Sequence, residues 1–337
     1  MIVRSLAASA GAARWLGAMS RQGAILAYHG VVPDGQPHSS LHVAVGKFAA
    51  QLEEIRAMRY TFVSLGDMLE RLRSGRSVSR CVAVTFDDAY AGLHLALPVL
   101  QGAGAPATVF VPTGTIGSGK AFWWDRLDHI VRMLAPDALT AWARSVCSEE
   151  VEAGNESAAV GLRIMSSGRG RLTVEMERAF RAGEGDVPYD PLILPMSWDS
   201  LREWLRWDGA TCAPHTIAHP VLPLLPGAAQ REEIASSHAR LLETVDRVLP
   251  IIAYPYGLYD GVTIEAARDA GMSYGVTMDR VGCGARADLP LRVPRLPFGG
   301  ATPVERMGLY LSAPWRWYRR RDWQNGFPAL PGARAAR

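Results

Sequence analysis

The chain has 337 residues, with 36 Lys and Arg against 33 Asp and Glu, and its formal net charge of +3 gives no global basic field for nucleic acid. Its 48% hydrophobic content suffices for one large α/β domain with an insertion or for two domains, and no internal repeat is present. Four widely spaced cysteines, Cys81, Cys147, Cys212 and Cys283, call for no disulfide framework, and no apolar stretch approaches the roughly 20 residues of a membrane span.

Residues 1–22 read as a helical extension. They carry Arg4, Arg14 and Arg21 with no acid, and Leu6, Ala10, Ala13, Leu16 and Met19 recur at helical spacing. That narrow stripe either packs on the domain behind it or lies on a membrane surface. The stretch SLAASAGAA is too poor in large apolar side chains for a signal peptide, so the segment is read as retained. The expected location is the cytoplasm or the periphery of the inner membrane face. Ala24 to Val32 follows as a first strand with His29 at its carboxyl end, and His38 and His42 fall in a Gly/Pro/Ser-rich loop expected to be solvated. Phe48, Leu52, Ile55 and Met58 mark one helix face, Tyr60 to Leu65 a strand, and Asp67 to Arg73 a second helix.

The run Cys81-Val82-Ala83-Val84-Thr85-Phe86 is short, rich in β-branched residues and without outward polar alternation, which predicts a strand buried on both faces of a parallel sheet. It ends in Asp87 and Asp88. Carboxylates at the carboxyl end of such a strand suit chemistry; the alternative is an Asp pair capping the next helix. Tyr90 to Leu100 is then expected as a helix broken by Pro98, with His94 packed inside, and Ala105 to Val111 as another strand. Roughly 100 residues separate that strand from the next apolar segment, Gly209 to Ala213, far more than a βα connection needs, so a helical insertion is placed at about 115–197. Phe122-Trp123-Trp124 opens it, as core or as a surface for stacking on sugar rings.

After Gly209 to Ala213 stand His215 and His219. Two imidazoles four residues apart fall on one side of a helical turn and can converge on one cation, with a carboxylate completing a two-His, one-carboxylate set. Such a set suits zinc with an open position, or a non-haem iron. Ile251 to Tyr254 predicts a strand running into the turn Pro255-Tyr256-Gly257, and Arg295 lies on the last predicted strand. In the tail, Trp315 to Trp323 interleaves aromatic and basic residues, a pattern that suits an anionic membrane surface, an acidic glycan or nucleic acid and is by default a partly packed, solvated tail.

Taken together and in order, TFDDAY, PHTIAHP and AYPYGLYD resemble the motifs of the polysaccharide deacetylases, carbohydrate esterase family 4 with its NodB-homology domain, over roughly residues 23 to 300. The resemblance implies an α/β fold, a distorted, incomplete (β/α) barrel of the seven-stranded type, spanning 23–305 with its helical insertion and followed by the tail 306–337. It implies metal-dependent hydrolysis of N-acetyl or O-acetyl groups on a polysaccharide or lipid-linked sugar, chiefly at a non-peptide carbon–nitrogen bond. By position Asp87 matches the family's catalytic base, and Asp88, His215 and His219 match its ligands for a divalent metal, zinc first, with cobalt, nickel, iron and manganese as other candidates. Tyr256 matches the residue whose backbone amide helps hold the oxyanion.

The sequence departs from the family pattern twice. No Leu-x-x-His motif stands near the end of the chain, and Tyr-His-x-Val around His29 resembles a rearranged catalytic acid found in one branch. Where many members place an Arg before the Pro of the third motif, this chain has Ala253 and Tyr254; Arg295 is the candidate to serve Asp87 instead. These departures leave open a glycan-binding protein that kept the fold and lost catalysis, and the ligand set alone leaves open a non-haem iron enzyme. The expected partner is an acetylated glycan or lipid-linked sugar, with peripheral membrane contact through the ends of the chain. No signal for an oligomeric state is present.

Overall fold

A computed structural model describes residues 10–20, 22–36, 39–185, 188–279 and 290–312. Seven short parallel strands organise it: β1 (Ala24–Tyr28), β2 (Cys81–Phe86), β3 (Ala107–Val111), β4 (Ala210–Pro214), β5 (Ile251–Ala253), β6 (Tyr274–Thr277) and β7, in two pieces, Val293–Pro294 and Leu296–Pro297. The second piece of β7, β1, β2, β3 and β4 form one ladder, and β5, β6 and the first piece of β7 form another.

Two features join the ladders into an incomplete (β/α) barrel. Beside β4, the Leu249 N–H donates to the Cys212 carbonyl at 2.8 Å and the Cys212 N–H to the Arg247 carbonyl at 3.2 Å. On the other side β7 changes partners at Arg295: Val293 and Pro294 pair with Val276 and Thr277, whereas Leu296 and Pro297 pair with Leu26 and Ala27. Because every neighbour is parallel, all the carboxyl ends emerge at one rim.

Side-chain alternation explains why the strands read as unbroken apolar runs. Ile25, Ala83, Phe110, Ala213, Ala253 and Val276 share one core inside the strands. Leu26, Val84, Phe86 and Val109 face the opposite way, against Phe48, Leu52 and Ile55 of the helix Val45–Ala57. With both faces covered, a polar residue on either one would lose its water.

The segment between β3 and β4 includes the helices Trp123–Met133, Pro136–Cys147, Glu156–Ser166 and Val174–Glu184, which we label α1 to α4, and ends in the helix Trp198–Leu205, which packs beside β4. Helices α1 to α4 have their own core, with Ile130, Trp142, Val160, Ile164 and Phe180 inside. The helix α5 (Gly227–Thr244) follows β4 and packs on it.

Several expectations are corrected. The strand expected over Tyr60 to Leu65 shrinks to Thr61–Phe62, because the Ser64 hydroxyl accepts from the Asp67 N–H and starts a helix at Leu65. Pro98 breaks nothing. A 3-10 turn, Ala91–Leu95, precedes the helix Ala96–Ala103, so Pro98 falls in the first α-helical turn, where its missing N–H costs little. His94 lies exposed on that 3-10 turn instead of packing, and His42 is buried, not solvated. In the helix Ala10–Met19, Met19 is 61% exposed, while Ala13 is buried and Gly17 lies against Gly308, where neither glycine has room for a Cβ. Leu6, Arg4, Arg21, His38, Cys283 and the Trp315 to Trp323 segment lie outside the described residues.

Candidate active site

Strand register delivers the site. Tyr28 pairs with Phe86, so the next residues, His29 and Asp87, leave the rim side by side, and the Asp87 N–H donates to the Tyr28 carbonyl at 2.9 Å. Val111 pairs with Pro214, and the His215 N–H donates to the Val111 carbonyl at 3.0 Å, fixing where the first imidazole begins.

Neither aspartate caps a helix. Asp88 and Ala89 both take the left-handed conformation, with φ of 69° and 52°, which turns the chain sharply and holds both carboxylates over the rim. The 3-10 turn that follows has Tyr90 at its cap position, with no side-chain cap bond.

Asp88 lies between the two imidazoles. Its Oδ1 stands 3.6 Å from His215 Nε2 and 3.5 Å from His219 Nε2, too far for good hydrogen bonds, and has no hydrogen-bond partner among the described residues. The ligand atoms of all three lie within 4.8 Å of one another and all three residues are buried. Atoms sharing a tetrahedral ion at about 2.1 Å each are about 3.4 Å apart, so the spacing fits a common cation. His215 Nδ1 lies 2.8 Å from the Ala253 carbonyl, which only accepts; Nδ1 therefore carries the proton and Nε2 is left as a lone pair facing Asp88.

The pair does not sit on a helix, as the four-residue spacing suggests. His215 to His219 is an irregular loop in which Thr216 and His219 have φ of 68° and 54°. The convergence of the imidazoles comes from these two left-handed residues.

Beside this group Arg295, fully buried, donates from Nη1 to Asp87 Oδ1 at 2.6 Å and from Nη2 to Oδ2 at 2.7 Å. Nη1 also reaches Thr85 Oγ1 at 3.1 Å, and the guanidinium lies 5.1 Å over the Phe110 ring. Burial by itself would raise Asp87; the Arg295 charge and its two bonds overcome that and hold the carboxyl well below the usual range. Asp88 behaves oppositely. Burial first, then the neighbouring Asp87 and Asp125, push its carboxyl well above the usual range. Burial also lowers His215 and His219, and it takes His29 to about 4.

Tyr256 follows β5 in a left-handed conformation, φ 59°, with its ring 4.6 Å from that of His219. Its hydroxyl accepts from Trp123 Nε1 at 3.1 Å and donates to the Gly170 carbonyl at 3.3 Å, so the insertion holds it.

The sequence reading missed a second buried group. Tyr90 donates to Asp125 Oδ2 at 2.6 Å and accepts from Trp124 Nε1 at 2.7 Å, while Asp125 Oδ1 lies 3.2 Å from His42 Nε2. Trp124 in turn lies 4.9 Å from the His219 ring. The signal was an acid on the buried side of an amphipathic helix, adjacent to Trp124.

The family model described as polysaccharide deacetylase matches residues 173–275, the segment that holds His215, His219 and Tyr256. Over those residues the chain is similar to the polysaccharide deacetylases. Solved structures similar to it include the deacetylase PplD of Streptococcus pyogenes in complex with acetate, at 18% identity and TM-score 0.57 over 87% of this chain and 100% of that one. IcaB of Ammonifex degensii matches at 20% identity and TM-score 0.57, over 86% of this chain and 97% of that one. A de-N-acetylase of Aggregatibacter actinomycetemcomitans matches at 14% and 0.53, over 86% and 99%. At these identities the likeness is one of fold. No curated protein matches the sequence. The chain thus shares the fold of these structures, and its own acidic and imidazole side chains gather at the carboxyl rim.

Proposed function

We propose that this protein is a metal-dependent deacetylase that hydrolyses an acetamido carbon–nitrogen bond on a sugar of a polysaccharide or a lipid-linked saccharide. One observation carries the reading: an acid kept ionised by Arg295 stands next to an acid, Asp88, that shares its space with two neutral imidazoles. Hydrolysis needs a base and a ligand set side by side, and the Asp87–Asp88 pair provides both.

Asp88, His215 and His219 fit a divalent cation, with zinc the first candidate, and such an ion supplies Lewis acidity to the reacting oxygens when bound. Asp87 takes the proton of the attacking water, and Arg295 fixes the orientation of its carboxylate. The Tyr256 backbone N–H donates to the oxyanion that develops on the acetyl carbonyl. His29 protonates the departing nitrogen. It is neutral at rest, so it takes up a proton during the cycle, and its place beside Asp87 suits that transfer.

The relatives' printed names, among them a de-N-acetylase, support the acetamido assignment. Arg295 also removes one motive for the binding-only alternative, which rested partly on a missing arginine. The test is acetate release from N-acetylglucosamine oligomers and from an aryl acetate, using metal-stripped protein restored with zinc, cobalt or iron. Release that requires both metal and Asp87 supports the proposal; release undiminished in Asp87→Asn would overturn it.

A further inference from the structure

The loop between His215 and His219 includes two non-glycine residues in the left-handed region, a conformation that persists only where the surroundings hold it. The strand side contributes through backbone alone. The Thr113 N–H donates to the Thr216 carbonyl at 3.1 Å and the Gly114 N–H to the Ile217 carbonyl at 2.7 Å. Gly114 is required there, since a Cβ would lie 2.9 Å from the Ile217 carbonyl oxygen.

The other side of the loop is held by two side chains of α5. Glu233 and Ser237 lie four residues apart, on one face of the helix, and both are buried. Glu233 Oε2 accepts from the Ile217 N–H at 2.9 Å and the Ala218 N–H at 3.0 Å, while the Ser237 hydroxyl donates to the Thr216 carbonyl at 2.8 Å. The second oxygen of Glu233 accepts from Arg171 Nη2 of the insertion, and the neighbouring Arg169 carbonyl accepts from the Val221 N–H at 2.9 Å just past the loop.

We infer that Glu233 is a positioning residue for the metal site: it sets the loop backbone so that His215 and His219 face Asp88, and Arg171 makes the helical insertion part of that support. This rests on the ligand assignment above but adds a residue outside every motif the sequence displays. Glu233 touches no ligand side chain. It acts by accepting from two adjacent loop N–H groups, those of Ile217 and Ala218, and so fixes the path of the backbone between the two imidazoles.

The test reads metal binding directly, on metal-stripped full-length protein titrated with cobalt(II), by calorimetry and by the visible absorption of the bound ion. Glu233→Ala is expected to bind about 10–100-fold more weakly, the usual effect of removing a residue that orients ligands. Its cobalt spectrum should shift as well, because the coordination geometry changes. Glu233→Gln keeps an acceptor oxygen for the loop and is expected to recover most of the affinity; Glu232→Ala, on the exposed side of α5, is expected to change nothing. If Glu233→Ala fails to fold, Ser237→Ala, which removes one bond to the same loop, should show a smaller loss of affinity in the same direction. Cobalt affinity and spectrum unchanged in folded Glu233→Ala, or unchanged in Ser237→Ala where Glu233→Ala does not fold, would overturn the inference while leaving the deacetylase reading intact. Wild-type protein that takes up no cobalt would overturn both.

Discussion

Arg295 and Asp87, 208 residues apart in the chain, meet as a buried two-bond pair at 2.6 and 2.7 Å. Removing the guanidinium while keeping bulk, as in Arg295→Met, leaves an uncompensated buried carboxylate. The expected cost is about 3–5 kcal/mol of stability. The Asp87 carboxyl should then move upward and its activity as a base shift to higher pH. Arg295→Lys should not rescue, because one ammonium cannot meet both carboxylate oxygens. Denaturant unfolding and the pH profile of acetate release check this; a Lys variant with wild-type rate and profile would show the two-bond geometry to be dispensable.

Burial and the neighbouring acids push the Asp88 carboxyl well above the usual carboxylate range, and burial lowers His215 and His219. A cation therefore competes with a proton at Asp88. Metal affinity should rise with pH, and about one proton should be released per ion near neutrality. Calorimetry in buffers of different ionisation heat measures that number. A value of zero would mean that Asp88 is ionised before the metal arrives.

His29 is assigned to the leaving group, and that role separates amides from activated esters. An amine must leave protonated; an aryl oxide leaves without help. His29→Ala should therefore lower amide hydrolysis by about 10²–10⁴-fold and leave aryl acetate hydrolysis far less affected. Equal losses on both substrates would assign His29 to orientation of Asp87 instead.

Burial takes the Asp125 carboxyl up to about 8. In the unfolded chain it ionises near 3.9. Between those values the unfolded chain gives up a proton that the folded one keeps, so this group lowers stability progressively as pH rises from about 4 to about 8. Asp125→Asn keeps an acceptor for Tyr90 and offers an N–H toward His42. Thermal unfolding from pH 5 to 8 should show the wild type losing stability relative to Asp125→Asn, with other groups cancelling in the difference. Parallel curves would mean that Asp125 is ionised throughout.

By itself the sequence determined the strands and what stands at their ends. Cys81 to Phe86 reads as a strand covered on both faces, and Asp87, Asp88 and His29 follow such strands directly, which placed them at the carboxyl ends of strands. What tertiary structure decided was everything that depends on register and on closure of the ring. Arg295 reaches Asp87 because β7 changes partners there, leaving its side chain inside the barrel. His215 and His219 converge through left-handed residues that a four-residue spacing disguises as a helical turn, and Glu233, Ser237 and Arg171 hold them from elements with no motif at all. His42 and Asp125 were unreadable for the same reason: a polar residue's burial is set by the partners that the fold brings to it, and those partners lie far away in the chain.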